Sequence, residues 1–253
     1  MNANVVSIVT GGGRGIGRAI TLRLAQEGAV VVVGRTEADL ASICDDVRTA
    51  RGVAEFVVGN VADPNTATRA VHAALAGGRA IQNLVLNAGI GKGGRSHEFD
   101  LDVWRQIMDV NVNGSFYFAQ ACLPHMVERK SGTICIISSI LGLRGRKYDT
   151  AYTTSKHALV GMAKSLGQEY AKHGIVVVPL CPGFVESDMT RNTIANLVRY
   201  RGMTAEDAEQ QIKDTNPQRR IIPAEEVAEL IALVCSGRIN CLNGNPLILT
   251  GGD

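Results

Sequence analysis

The sequence of 253 residues has little net charge, no long apolar run and no segment with the pattern of a secretory leader. Lysine and arginine number 26 against 24 acidic residues, which gives a formal net charge of +2. This balance is too mild to indicate a nucleic acid or an anionic membrane as partner. No apolar run reaches the roughly 18 residues that a membrane span needs, and the first residues lack the basic start of a signal peptide. We therefore expect a cytoplasmic protein with neither a nucleic-acid nor a membrane partner.

Paired cysteine motifs are also missing. The six cysteines are spread along the chain without a Cys-x-x-Cys pair. Most lie among apolar residues, which favours small buried side chains over metal ligands or disulfides. The sequence predicts no metal site.

What the sequence does contain is a regular alternation of β-rich runs and helical segments. The runs are nearly continuous in Val, Ile and Leu, as expected for strands covered on both faces. Such alternation predicts βαβ units and a single α/β domain over residues 1–253, with a doubly wound parallel sheet of about seven strands. The predicted strands are 5–10, 30–34, 55–58, 84–87, 133–138, 175–180 and 246–249, and the first helix is 15–27.

Residues 186–220 interrupt this rhythm with a long polar stretch rich in Arg, Asn and Thr. Long excursions from a compact domain are usually lids or binding loops. We expect one or two short helices outside the sheet layers here, acting as a substrate lid; a surface insertion without a role is the alternative.

A glycine-rich turn joins the first predicted strand to the first helix. The segment 10–17 reads Thr-Gly-Gly-Gly-Arg-Gly-Ile-Gly, with Gly11, Gly15 and Gly17 in the turn. Such a turn lets the backbone approach a pyrophosphate, while the helix N-terminus adds its N–H groups and dipole. The segment predicts a dinucleotide site.

A second motif places Tyr152 four residues before Lys156, on one face of a helix. A phenol with a reference pKa of about 10 is a poor acid–base group, and a nearby ammonium is expected to lower that value. Reduction of a ketone needs a proton for the developing alkoxide, which this pair can supply. An isolated Tyr-x3-Lys would otherwise be an ordinary surface pair.

Together, the Thr-Gly-x3-Gly-x-Gly turn and the Tyr-x3-Lys pair resemble the short-chain dehydrogenase/reductase family. The pattern is most similar to 3-oxoacyl-carrier-protein reductases and polyketide ketoreductases, and the resemblance covers nearly the whole chain. It implies a Rossmann fold and a nicotinamide-dependent oxidoreductase acting on CH–OH and C=O groups. It also implies a catalytic tetrad of Asn111, Ser139, Tyr152 and Lys156. Ser138 and Asn113 are the local rivals of Ser139 and Asn111.

The choice of nicotinamide cofactor depends on the end of the second strand. NAD enzymes place a carboxylate there, whereas a cation there pairs with the 2′-phosphate of NADP. Arg35 occupies this position, and Arg14 lies within the glycine turn. Two guanidiniums suit a dianionic phosphate by charge and geometry, so we predict NADP(H).

The resemblance implies further cofactor contacts along the chain. Asn60 stands where the family has an acid that holds the adenine, and Ser187 stands where threonine is usual. The full set of implied cofactor-binding residues is Gly11, Arg14, Gly15, Ile16, Gly17, Arg35, Asn60, Val61, Asn87, Ala88, Gly89, Tyr152, Lys156, Pro182, Gly183, Val185 and Ser187.

Substrate and partners are the least defined expectations. The resemblance implies a 3-oxoacyl thioester or similar ketone, with an acidic acyl carrier protein docking near Lys130, Lys172 and His173, unless these are ordinary solvated residues. Arg144, Arg146 and Lys147 are expected to overlook the pocket. The alternatives are an NADP-dependent secondary alcohol or sugar dehydrogenase and a non-catalytic NADP-binding regulator.

The family resemblance also implies a homotetramer, built through the helices that begin near Asn111 and Ala151. A core face would show a similar pattern. The residues consistent with such an interface are Phe116, Phe118, Ala119, Ala158, Leu159, Met162 and Ala163.

Overall fold

A single parallel sheet of seven strands organises the protein. In the computed structural model, which describes residues 2–252, the strand order is β3-β2-β1-β4-β5-β6-β7. The strands are β1 Asn2–Thr10, β2 Gly28–Gly34, β3 Ala54–Val58, β4 Ala80–Leu86, β5 Gly132–Ile137, β6 Ile175–Pro182 and β7 Leu247–Leu249. All of their pairings are parallel. The predicted doubly wound sheet is therefore confirmed.

Nine α-helices within the described residues connect and cover the strands. They are α1 Gly15–Leu24, α2 Glu37–Thr49, α3 Pro64–Leu75, α4 Leu101–Met108, α5 Gly114–Arg129, α6 Thr150–Tyr170, α7 Asp188–Arg201, α8 Ala205–Lys213 and α9 Ala224–Cys235. Helices α3, α5 and α6 bury apolar residues against one face of the sheet. Helices α1, α2 and α9 do so against the other. The central strands are buried on both sides, which explains their continuous apolar sequence.

All seven predicted strands exist, with ends shifted by a few residues. The fourth ends at Leu86, so that Asn87 lies beyond the strand rather than within it. The first helix ends at Leu24 rather than at residue 27. The backbone N–H groups of Gln26 and Glu27 bond to carbonyls three residues earlier, which converts the last predicted turn into a tight turn.

The strand order reverses direction between β1 and β4, so the crevice at their carboxyl ends is the expected ligand site of such a sheet. The glycine turn follows β1, Asn87 follows β4, Ser139 lies just beyond β5, and Pro182 ends β6. Four separate segments of the predicted site therefore meet at one edge of the sheet.

Residues 186–220 form two helices, α7 and α8, as predicted. Thr190 is the one residue of α7 that is buried, and α8 buries Ala208 and Ile212. The two helices pack mainly on each other. Across residues 2–252, none of the helices is long and apolar enough to cross a membrane.

Candidate active site

The glycine turn after β1 is built for close approach to a ligand. Gly11 and Gly15 have φ values of +64° and +51°, a region that side chains other than glycine rarely adopt. A Cβ atom on Gly17 would lie 2.1 Å from the carbonyl oxygen of Gly11, so a side chain there is excluded. The turn leads directly into the N-terminus of α1, whose first N–H groups lack intrahelical partners. These residues fit a pyrophosphate, and with it a dinucleotide cofactor.

Asn87 fixes this turn against the sheet. Its side-chain amide donates to the carbonyl oxygens of Thr10 (3.0 Å) and Gly11 (3.1 Å). The Thr10 hydroxyl in turn accepts from the backbone N–H groups of Asn87 and Ala88. The sequence suggested Asn87 and Ala88 as cofactor contacts; the structure gives them the additional task of holding the turn in place.

Two arginines lie at the rim where a 2′-phosphate is expected. Arg35 directly follows β2 and is exposed, and it forms no ion pair with any residue of the described chain. Arg14 is also exposed and pairs with Asp39 (3.1 Å) and, more loosely, with Asp188 (3.8 Å). The sequence reasoning missed both carboxylates, because each is distant from Arg14 in the chain.

Lys156 and Tyr152 lie together on α6, with the lysine buried beneath the ring. The Lys156 ammonium is 5.4 Å from the centre of the Tyr152 ring and donates to the carbonyl oxygen of Ile137 (2.8 Å). Gly91 packs against the same ring, since a Cβ atom added to it would lie 2.9 Å from the Cδ2 atom of Tyr152. Gly91 was not predicted, and no motif in the sequence points to it.

The electrostatics of the pair differ from the sequence expectation, which was a lowered phenol pKa. Burial raises the pKa of Tyr152 to about 12, against the opposing effects of a hydrogen bond with Ser139 and of the Arg146 charge. Burial also lowers the pKa of Lys156 to about 8. The expectation was wrong for this structure because the loss of solvent outweighs the neighbouring positive charge. At neutral pH the phenol therefore keeps its proton, as a proton donor must.

The two candidate serines have different surroundings. Ser139 lies just beyond β5, and its hydroxyl bonds to Tyr152 and accepts from the backbone N–H of Leu141 (3.1 Å). The Ser138 hydroxyl donates to the backbone carbonyl of Lys156 (2.8 Å). Ser138 thus braces α6 against β5, while Ser139 carries the hydroxyl beside the phenol. This geometry favours Ser139 as the catalytic serine.

Asn111 lies fully buried in a short π-helical segment, Asp109–Asn113, between α4 and α5. Such segments are frequent at functional sites. Its amide accepts from the Ile90 N–H (2.8 Å) and donates to the Ile90 carbonyl (2.9 Å) and the Ser155 hydroxyl (2.9 Å). Asn113, its rival, is exposed and bonds to Asp109. The bond to Ser155 links Asn111 to α6, and the sequence reasoning missed it.

Gly89 brings Asn111 and Lys156 to one point. A Cβ atom on Gly89 would lie 3.4 Å from the Asn111 amide oxygen and 3.5 Å from the Lys156 ammonium. All four tetrad residues thus belong to one connected cluster at the carboxyl edge of the sheet. Their catalytic roles remain predictions.

The remaining implied cofactor residues occupy three places around this cluster. Val61 is buried, and the amide oxygen of exposed Asn60 accepts from the Ala62 N–H (3.2 Å), which leaves one lone pair for an adenine. Gly183 donates its N–H to the Leu249 carbonyl (2.8 Å) next to Pro182. The Ser187 hydroxyl caps α7 by accepting from the Thr190 N–H. The list closes with Ile16 in the first turn of α1 and with buried Val185.

Two further sequence expectations concern the cysteines and the oligomer interface. Five of the six cysteines are buried, all are free, and no cluster of metal-ligating side chains occurs among the residues that the structure describes. Four of the seven residues considered for an oligomer interface lie inside this chain's own core, namely Phe118, Ala119, Leu159 and Ala163. Of the seven, Phe116 is the exposed one. The core-face alternative is therefore correct for those four.

Comparison with known proteins agrees with this geometry. The family model for short chain dehydrogenases matches residues 5–197. The 3-oxoacyl-acyl-carrier-protein reductase FabG of Aquifex aeolicus is 32% identical over 249 residues, which is 98% of this chain and 96% of the relative. Its counterpart from Escherichia coli K12 is 31% identical over 247 residues, 98% and 96% of the two chains.

Solved structures of similar fold include two reductases. A phenylalanine-to-tryptophan variant of actinorhodin polyketide ketoreductase, crystallised with NADPH, superposes with a TM-score of 0.94 at 30% identity, over 98% of this chain and 97% of its own. Levodione reductase superposes with a TM-score of 0.93 at 27% identity, over 99% and 97%. This chain belongs to the short-chain dehydrogenase family and is an oxidoreductase acting on CH–OH or C=O groups.

Proposed function

We propose that the protein reduces a ketone to a secondary alcohol with NADPH, and that a 3-oxoacyl thioester, linked to a carrier protein or to coenzyme A, is the leading substrate class. The observation that carries this proposal is the connected cluster of Tyr152, Ser139, Lys156 and Asn111 at the carboxyl edge of the sheet. The half-buried phenol of Tyr152 bonds to Ser139, and the Lys156 ammonium lies 5.4 Å from the centre of its ring. The FabG relatives and the ketoreductase with NADPH support the substrate class and the cofactor.

The cofactor, when bound, supplies the hydride. The glycine turn after β1 would hold its pyrophosphate, while Arg14 and Arg35 would hold the 2′-phosphate. The Ser139 hydroxyl orients the substrate carbonyl, and Tyr152 donates a proton to the oxygen as charge develops there. Lys156 stabilises the phenolate that remains after proton transfer, and Asn111 positions α6 through Ser155.

The decisive experiment is a substrate screen that follows NADPH consumption by absorbance. Free ketones, coenzyme A thioesters and carrier-linked thioesters are tested side by side, with NADH in a parallel series. Reduction of a 3-oxoacyl thioester, faster with NADPH than with NADH, is the expected result. Turnover seen solely with alcohols and NADP⁺ would favour a dehydrogenase, and NADPH binding without any turnover would favour a regulator.

We also propose that an acidic acyl carrier docks near the end of α5. Lys130 closes this helix, and its carbonyl contacts Gly174, which follows His173. Two basic positions that are distant in sequence therefore share one surface. Lys130→Glu should slow the reduction of a carrier-linked thioester but not that of its coenzyme A counterpart. Equal effects on both substrates would contradict the docking site.

Helices α7 and α8 are our candidate for the substrate lid. They follow Pro182 and Gly183 at the sheet edge, and α7 starts against the glycine turn, where a Cβ atom on Gly15 would lie 3.5 Å from that of Ser187. Their sparse burial suits a segment that opens and closes.

A further inference from the structure

A cleft of about 290 Å³ lies beside the proposed catalytic cluster. One wall is formed by Ile140 and Leu141, which directly follow Ser139, and the opposite wall by Gly183, Phe184 and Ile222. The cleft is therefore continuous in sequence with two segments that border the reacting centre. Its apolar walls suit a carbon chain rather than a sugar.

The described residues that line the cleft include two charged ones. Among the described residues that line it, two are arginines, Arg144 and Arg146, and none carries a carboxylate. The two arginines lie on the loop between Ser139 and Tyr152.

Arg146 is held in place by two contacts. Its Nε donates to Asp149 at 2.5 Å, and its guanidinium lies 5.5 Å from the centre of the Phe184 ring. A guanidinium has five N–H donors in a planar fork. The contact with Asp149 uses one edge of that fork, and the contact with the Phe184 ring restrains the guanidinium on the other wall of the cleft. The outer donors are thus oriented before any ligand arrives.

The neighbouring polar side chains of the cleft have other tasks. The Asn216 amide donates to the Arg220 carbonyl (3.0 Å) and accepts from the Gln218 N–H (2.8 Å). The Thr215 hydroxyl donates to the Ile212 carbonyl (2.7 Å). Both brace the segment that follows α8. Arg146, which Asp149 and Phe184 position, is the side chain on which we base a selectivity of this cleft for charge.

We propose that Arg146 is a specificity-determining residue that binds a carboxylate at the end of the substrate distant from the reacting ketone. The preferred substrates are then oxo acids, whose carbon chain lies between Leu141 and Phe184. A planar carboxylate matches the fork of a guanidinium through two parallel hydrogen bonds, whereas a neutral ester lacks the charge that strengthens them. This inference rests on the proposed reduction of a ketone by this protein, and it points to free oxo acids rather than to the thioesters named above.

The test compares each oxo acid with its own methyl ester. The probes are 3-oxobutanoate, 4-oxopentanoate and 5-oxohexanoate with their esters, assayed with NADPH on the full-length protein. For the acid of best-fitting length, kcat/KM should exceed that of the ester. In Arg146→Gln the ratio of acid to ester should fall by about 10- to 100-fold, as expected for the loss of a charge-assisted pair. Arg146→Lys should keep part of the ratio, because it retains the charge but not the fork.

Lys147→Gln is the matched control. Lys147 is exposed, adjacent in sequence and equally charged, but it does not line the cleft. In Lys147→Gln the ratio of kcat/KM for the acid to kcat/KM for the ester should stay within about twofold of its value in the unmodified protein, as expected for a solvated surface charge. The ester serves as an internal standard, since a folding defect lowers acid and ester turnover together. Equal use of acid and ester by the unmodified protein, or the same drop in both variants, overturns the assignment.

A calorimetric titration of the cofactor-free protein with 5-oxohexanoate separates this inference from the proposed function. If no ketone of any kind is reduced, the proposed function fails, and the titration still decides on the cleft. Heat of binding that is present in the unmodified protein and in Lys147→Gln but lost in Arg146→Gln supports the carboxylate site. Binding that is absent in all three proteins, or unchanged in Arg146→Gln, overturns it.

Discussion

The proposed catalytic cluster and the proposed lid, helices α7 and α8, lie on the same edge of the sheet but are built in opposite ways. Asn111, Ser155 and Lys156 are 0–4% exposed, and each bonds to a backbone or side-chain atom of a neighbouring element. In the lid, Met189 and Tyr200 are 41% and 72% exposed. Dense packing keeps reacting groups in place, whereas sparse packing lowers the free energy of local opening. The difference suggests that the cluster determines the reaction and the lid determines which ketone is admitted.

The rim of the cofactor site lies between these extremes. Its charged residues are exposed, and Arg14 bridges the glycine turn to Asp188 at the start of the lid. Asp188 also pairs with Arg191, one turn along α7. Surface pairs of this kind contribute little to stability. A cofactor phosphate competing for Arg14 would therefore change the attachment of the lid without disturbing the cluster.

The largest effect is expected from Tyr152→Phe. This change removes the proton donor but leaves the ring, so turnover should fall by about 10²–10⁴-fold. Binding of NADPH, followed by fluorescence, should stay close to that of the unmodified protein. Retention of more than about a tenth of the activity would show that another group donates the proton.

The second prediction concerns the stability that the protein loses by burying the Lys156 ammonium. The pKa of Lys156 falls from its ordinary value of 10.5 to about 8, which corresponds to a decrease of about 3 kcal/mol in the free energy of unfolding while the lysine is charged. Below about pH 8 both the folded and the unfolded state carry this proton, and the whole cost is present. Between about pH 8 and 10.5 the unfolded state binds the proton more tightly, so stability should rise with pH. Lys156→Met removes both the cost and this dependence.

Denaturant unfolding of the two proteins at pH 7, 8, 9 and 10 measures this difference. As the pH rises across this range, the free energy of unfolding of the unmodified protein should increase relative to that of Lys156→Met. Lys156→Met also loses the hydrogen bond to the Ile137 carbonyl, and this loss offsets about 1 kcal/mol of the stability that removal of the buried charge provides. Tyr152 does not interfere, because its raised pKa places its own contribution above pH 10. Parallel curves for the two proteins would mean that the lysine is not desolvated.

The third prediction moves to the exposed rim. Arg35→Asp should weaken NADPH binding far more than NADH binding, because a carboxylate repels the 2′-phosphate and accepts from a free 2′-hydroxyl. Loss of a charge-assisted bond of about 1.5–3 kcal/mol corresponds to a change of one to two orders of magnitude in the affinity ratio. Arg48→Asp, on the exposed face of α2, is a control of the same charge change. Equal affinity of the unmodified protein for both cofactors would sink the assignment.

The sequence was most informative where one local pattern determines the structure. The continuous apolar runs identified all seven strands, and the spacing of Ser139, Tyr152 and Lys156 singled out side chains that the fold brings together in one cluster. These signals are local or depend on fixed separations along the chain. They also placed the glycine turn before α1, because the turn itself demands glycine at residues with positive φ.

The sequence was least informative about contacts between distant segments. The pairing of Arg14 with Asp188 and the bond between Asn111 and Ser155 join residues that only the fold brings together. The pKa of Tyr152 was misjudged for the same reason, since its burial depends on several segments at once. Likewise, a small or apolar residue on a helix, such as Ala163, looks the same in a core and in an interface.

The smallest effects are expected in the lid, and they test the opening comparison most directly. If α7 and α8 close over a ketone, their amide hydrogens should exchange quickly in the free protein and slowly once NADP(H) and substrate are bound. The amides of β5 and of the buried part of α6 should exchange slowly in both states.

Met189→Ala should change the relative kcat/KM of two ketones by about two- to tenfold, since pocket contacts of a few methylenes discriminate weakly. Its affinity for NADPH should stay nearly constant. Leu101→Ala, equally apolar and 67% exposed on α4, is the control and should leave that preference unchanged. Slow exchange throughout α7 and α8 in the absence of ligand, with no change when ligand binds, would show that these helices are as fixed as the cluster. Specificity would then be determined without the lid, by fixed contacts such as those in the cleft beside Arg146.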